Sequence, residues 1–127
     1  MNAFHQVVEF NREIIGIQPR SLGLLDDEQV MFIEKAIMEE LEEFISATES
    51  GDMIGAIDAL LDGMYFAIGA LYKMGLTVDQ MEKCMTVIHE ANMKKTKGRT
   101  KRDNDLDATK PEGWVSPEEA IGRILER

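Results

Sequence analysis

With 127 residues, 44% of them hydrophobic, the chain is long enough for one compact core, and we expect a single domain over residues 1–127. Its net charge of -10, one cysteine and two histidines exclude an internal disulfide, a cysteine-based metal site and a zinc centre, and leave oxygen donors as the metal-binding groups. The opening MNAFHQVVEFNREIIG lacks the basic head and apolar centre of a signal peptide, and no uninterrupted run of eighteen apolar residues follows, so the expected location is cytoplasmic, with no membrane partner.

Apolar residues recur at spacings of three and four almost throughout, without sustained alternation of period two, which predicts an all-α fold: a helical bundle of four main helices plus a short C-terminal one. The first helix is expected over residues 2–15, ended by Gly16 and the Gln18-Pro19 pair. The second starts at Asp26 or Asp27, whose carboxylates can cap exposed amides, and runs to about Ser50, where Gly51 stops it. A third spans residues 52–74 before Gly75. Thr77 with Gln80 forms a capping box for the fourth, which extends to about Lys95. Residues 96–116 are polar and rich in Gly, Asp, Lys and Pro, and read as a long basic and polar loop. A last short helix opens at Ser116 with Pro117 in its first turn.

The charge is segregated. Between Asp26 and Asp62 stand twelve acids against Lys35 alone, whereas residues 94–102 hold six bases and no acid. On a helical wheel of the second helix, Glu40 falls inside the arc of Ile33, Ile37, Leu41 and Phe44, and Glu43 lies at its edge. Glu39, Glu42 and Glu49 share the opposite face with Lys35 and read as solvated charges. A carboxylate within an apolar arc has to be paired, protonated or bound to a cation.

The third helix, apolar nearly all round, is expected to be buried on more than one side, which predicts a homodimer or homotetramer. Its only acids after the cap are Asp58 and Asp62, one turn apart, with Tyr65, Gly69 and Tyr72 continuing their stripe. Four carboxylates about 5 Å apart would repel by roughly 3 kcal/mol per neighbouring pair at an effective dielectric of ~20, and a divalent cation removes that cost. Glu40, Glu43, Asp58 and Asp62 are therefore the expected ligands of Mg²⁺, with Mn²⁺ as the alternative, and a polyphosphate is the expected substrate. Glu40 and Glu43 are also the candidate catalytic groups, since a glutamate there can accept a proton from water. His89, Asn92 and Lys95 share a face of the fourth helix and are candidates for binding substrate.

Two shorter motifs fail. His89-Glu90-Ala91-Asn92-Met93 lacks the second histidine of a zinc-protease helix, and Asp103-Asn104-Asp105-Leu106-Asp107 lacks the glycine and bidentate glutamate of a calcium loop. The basic cluster could meet nucleic acid, but the acidic total and scarcity of aromatic residues make that a minority reading.

EELEEF, then DALLDGMYFAIGALYKMGL, then HEANMKK and KPEGW, together resemble the all-α nucleoside triphosphate pyrophosphohydrolases of the MazG and phosphoribosyl-ATP pyrophosphohydrolase superfamily. The resemblance implies an oligomeric helical bundle that uses Mg²⁺ to cleave a nucleoside triphosphate between its α and β phosphates. Carried across, the paired glutamates fall on Glu40 and Glu43, the second acidic pair on Asp58 and Asp62, and the asparagine and lysine of the HxxNMxK stretch on Asn92 and Lys95. Many members carry a glutamate where this chain has Ala59. Among substrates of the superfamily, dUTP, dCTP, general NTPs and phosphoribosyl-ATP all stay open, as does a non-catalytic, nucleotide-binding regulatory protein.

Overall fold

The computed structural model describes residues 1–126. Five α-helices follow one another, α1 (Ala3–Phe10), α2 (Asp27–Glu49), α3 (Met53–Lys73), α4 (Val78–Asn92) and α5 (Glu118–Leu125), with two three-residue strands, β1 (Thr96–Gly98) and β2 (Asp107–Thr109), between the last two. The fold is all-α, as the periodicity predicts. The chain forms two compact units, residues 1–78 and the residues from Asp79 onward, which are taken in turn.

In the first unit α2 lies along α3, and α1 packs on α3. Local chemistry sets the boundaries: Asn2, Asp26 and Asp52 accept from the backbone N–H groups of His5, Gln29 and Gly55 respectively, three residues on in each case. The first helix is not uniform. After Phe10 it widens into a π-helical turn, Asn11–Ile15, which closes at Gly16 in a left-handed conformation. Asn11 is buried there and donates its side-chain amide to Val7 O at 2.9 Å. Gly69 of α3 permits this approach, since a Cβ on it would sit 3.3 Å from Asn11 Nδ2.

The C-terminal end of α3 is tied to the loop after α1. Tyr72 donates its hydroxyl to Ile17 O at 2.7 Å, and Gly23 N donates to Met74 O at 2.8 Å. Gly75 has φ +98°, and a Cβ on it would meet Ser21 O at 2.6 Å. Gly75→Ala therefore combines left-handed strain with a backbone clash, and urea unfolding is expected to show a loss of about 2 kcal/mol.

α3 is not enclosed within this chain. Ala59, Ile68, Gly69 and Tyr72 are buried, but Ile54, Ile57, Leu61 and Met64 stay more than half exposed. Met31, Met38 and Ile45, seven residues apart on α2, are exposed in the same way. By length and mean hydropathy, 1.5, α3 could also cross a membrane. Asp58 and Asp62 within it, and the charged α2 alongside, fit a helix of a water-facing bundle better.

In the second unit Met81, Cys84 and Ala91 form the buried side of α4, and burial pushes the free Cys84 thiol up. α4 ends at Asn92, three residues before the predicted end, and α5 starts at Glu118 with Pro117 as its cap. The expected structureless loop contains an antiparallel hairpin instead, with Thr96 opposite Thr109, Lys97 opposite Ala108 and Gly98 opposite Asp107. Ion pairs stabilise its tip. Arg99 pairs with Asp103 and Asp105, and Arg102 holds Asp107 through two bonds of 2.7 and 2.8 Å. Arg102, the Thr100 hydroxyl and the Ala108 N–H together keep the Asp107 carboxyl well below the usual carboxylate range.

Candidate functional site

The acidic site is built in the first unit from the facing sides of α2 and α3. Glu40 and Glu43 are one turn apart on α2, as are Asp58 and Asp62 on α3, so each helix presents two carboxylates along one face. Glu40 points at α3: its Cβ lies 3.8 Å from where a Cβ on Gly63 would stand.

Glu40 Oε2 is sealed from solvent and has no hydrogen-bond partner among the described residues. Its carboxyl is raised above the ordinary glutamate value, by burial first and then by the charges of Glu43, Asp62 and Asp58 in that order. The three other predicted acids are thus the very groups whose fields converge on Glu40. Glu43 and Asp58 are exposed, while Asp62 is half-buried.

Glu43 and Asp58 line an open cleft of about 610 Å³, shared with Glu39, Glu42, Ser46 and Asp52. Glu39 and Glu42 are exposed as the wheel predicts, but they stand at the same cleft rather than away from it. A single-helix projection misses this because the cleft floor comes from the α2–α3 turn and the start of α3. The site is open rather than a closed cage: among the described residues no three Asp, Glu, His or Cys side chains already converge as a cation cluster.

One turn further along α3 lies an aromatic cavity of about 190 Å³, walled by Phe10, Phe32, Tyr65 and Phe66, with Asn11 and Lys73 at its polar edge. Phe10 and Tyr65 meet edge to face at 5.5 Å, and Phe32 and Phe66 at 6.1 Å. Lys73 Nζ stands 4.4 Å from the Phe32 ring centre, and burial lowers its ammonium from the ordinary lysine value. The stripe Tyr65–Gly69–Tyr72 that follows the acids along α3 accordingly meets α1.

The three predicted substrate-binding residues belong to the second unit. His89 and Asn92 are exposed on α4, and Lys95 lies beyond its end. Lys95 and Lys110 both hold their ammonium groups 5.1 Å from the Trp114 ring centre, and Trp114 Nε1 donates to Ala91 O at 2.7 Å. The indole of Trp114, in the KPEGW motif, thus faces the lysine of the HxxNMxK stretch, a contact that residue spacing does not reveal. Arg99 and Arg102 are neutralised within the hairpin, which removes two of the six bases from any nucleic-acid face.

Glu40 Oε2, sealed from solvent, thus stands in the fields of Glu43, Asp62 and Asp58 on the facing sides of α2 and α3. The chain matches the family model of phosphoribosyl-ATP pyrophosphohydrolase over residues 7–92, about two thirds of its length, and belongs to that family. It is a pyrophosphohydrolase, a hydrolase acting on a phosphoanhydride bond. The matched segment contains all four acids together with His89 and Asn92. A search of curated proteins found no match.

Proposed function

We propose that the protein is a Mg²⁺-dependent pyrophosphohydrolase that cleaves a nucleoside or deoxynucleoside triphosphate to the monophosphate and pyrophosphate. The observation that carries this reading is the orphaned Glu40 Oε2 in the fields of Glu43, Asp62 and Asp58. An oxygen that is shut off from water, without a donor, and crowded by like charge fits a hard divalent cation. Glu40, Glu43, Asp58 and Asp62 would hold it, with Mn²⁺ as an alternative ion. When bound, the cation neutralises phosphate charge and draws electron density from the scissile phosphorus.

The chain's own residues supply the rest. An attacking water oxygen bonds to the α phosphorus, the bond to the bridging oxygen breaks, and that oxygen leaves with pyrophosphate. The water's proton passes to a carboxylate oxygen of Glu40 or Glu43. The aromatic cavity next to the acids suits a flat, uncharged ring, with the Asn11 amide at its edge for hydrogen bonding.

Exposed aliphatic strips on α2 and α3 support a homodimer or homotetramer. Ile54 and Leu61 flank Asp58 on the surface of α3, so a second copy lying on this strip also borders the acidic cleft. Pyrophosphate release from a panel of NTPs, dNTPs and phosphoribosyl-ATP, with Mg²⁺ and with a chelator, tests the reading. Chelator-sensitive release from an NTP or dNTP supports it; turnover of phosphoribosyl-ATP alone would replace the substrate assignment. Nucleotide binding without release would instead identify a regulatory protein.

A further inference from the structure

A second cavity, about 260 Å³, lies where the loop after α1 crosses the C-terminal end of α3. Among the described residues its only charged lining groups are Arg12 and Arg20, set among Val8, Pro19, Leu76 and Val78. Residues 1–78 contain fourteen acids and only four Lys or Arg, so two of those four border a single cavity that no acid lines. We propose that this cavity is an anion site, separate from the acidic cleft, that takes a small phosphate monoester with a compact apolar body.

Guanidinium groups match phosphate oxygens through paired, planar donors, which favours phosphate over a simple halide. Arg20 makes no ion pair or hydrogen bond among the described residues. Arg12 reaches only its neighbour Glu13, Nε to Oε1 at 3.4 Å, with both side chains largely exposed. Such a pair contributes little and leaves the terminal nitrogens of Arg12 for a ligand. The aliphatic walls exclude water from one side and suit a hydrocarbon or ring substituent. The volume falls below the ~300–1,000 Å³ of drug-sized pockets, which limits the ligand to a small ester.

The walls are fixed before any ligand arrives. Arg12 sits in the π-helical turn, whose closing residues Gly16 and Ile17 donate to Asn11 O. The bonds from Tyr72 to Ile17 and from Gly23 to Met74 clamp both flanks of the segment that carries Arg20. A pre-shaped site avoids the ordering cost of a mobile one. Tyr72 follows Asp62 by ten residues, about 15 Å along a helix, so one small ester cannot occupy both places.

The test uses the full chain in the presence of a chelator, which removes any cation-mediated route for phosphate to reach the acids. Phenyl phosphate and inorganic phosphate are titrated separately, and the arginine Nε–Hε resonances are followed by NMR. Expected are saturable shifts of the Arg12 and Arg20 signals with phenyl phosphate, with a dissociation constant of about 1 mM or tighter, and binding of inorganic phosphate weaker by roughly tenfold. Arg20→Gln should weaken phenyl phosphate by roughly tenfold with unchanged circular dichroism, whereas Arg20→Lys should recover part of the affinity. Glu40→Gln should leave it unaltered, which separates this site from the pyrophosphohydrolase reading. Absence of saturation, unchanged affinity in Arg20→Gln, or inorganic phosphate binding as tightly as the ester would each overturn the assignment.

Discussion

Glu40→Gln is expected to lower pyrophosphate release by at least about 100-fold while leaving the helical content intact. The amide has nearly the same shape but cannot accept the proton, and it contributes no charge to hold a cation. A second readout distinguishes loss of chemistry from loss of fold. In metal-free protein Glu40 is a half-buried carboxylate opposed by Glu43, Asp62 and Asp58, so replacing it relieves repulsion and should raise the melting temperature by roughly 3 °C. The variant should also lose the stabilisation that Mg²⁺ gives the wild-type chain. Glu39→Gln, at the exposed rim of the cleft that Glu43 and Asp58 line, is expected to change turnover less than about threefold, a surface charge being screened by water and salt. Equal losses in the two variants would remove Glu40 from the catalytic machinery.

The distinction between Glu39 and Glu40 was legible in the sequence because a helix converts spacing directly into direction. Ile33, Ile37 and Phe44 mark one face of α2, and the next helix offers Asp58 and Asp62 in the same register, so the pairing of two acids with two needs no further information. Ala59 is 1% exposed, whereas Asp58, one position earlier, is exposed. What the wheel could not give is depth. Burial of Glu40 Oε2 depends on how closely α2 approaches α3, which spacing along one helix does not encode.

Helix starts were equally plain, with Asp26 and Asp52 acting as the caps their side chains allow. The hairpin was not. Strands of three residues carry no apolar alternation, and the pairing is stabilised by Arg99 and Arg102 reaching acids four to six residues ahead. Such pairs look in sequence like a basic block followed by an acidic one. The π-helical turn was hidden for a different reason: its residues continue the apolar spacing of α1, and the widening becomes visible only as the buried Asn11 against Gly69.

The apolar surface of α2 and α3 leads to the other large effect. Ile57, Leu61 and Met64 are spaced by four and three, and Met31, Met38 and Ile45 by seven, which is the spacing of residues that meet another helix. All six are between 51% and 69% exposed. Burying one such side chain contributes about 1.5–3 kcal/mol, and in a two-fold assembly every substitution counts twice. Leu61→Glu should therefore weaken a homodimer by roughly 1,000-fold, since two aliphatic contacts are lost and two charges enter an apolar seam. Light scattering at micromolar concentration is expected to give an oligomer for the wild type and a monomer for the variant. Because Asp58 lies between Ile54 and Leu61, the monomer should also lose turnover, through an opened cleft rather than through altered acids. Leu61→Met keeps the apolar contact and should keep both properties. A wild-type chain that is monomeric under these conditions would show that the strip is not an interface between copies, and a Leu61→Glu monomer with full activity would show that each acidic cleft works alone.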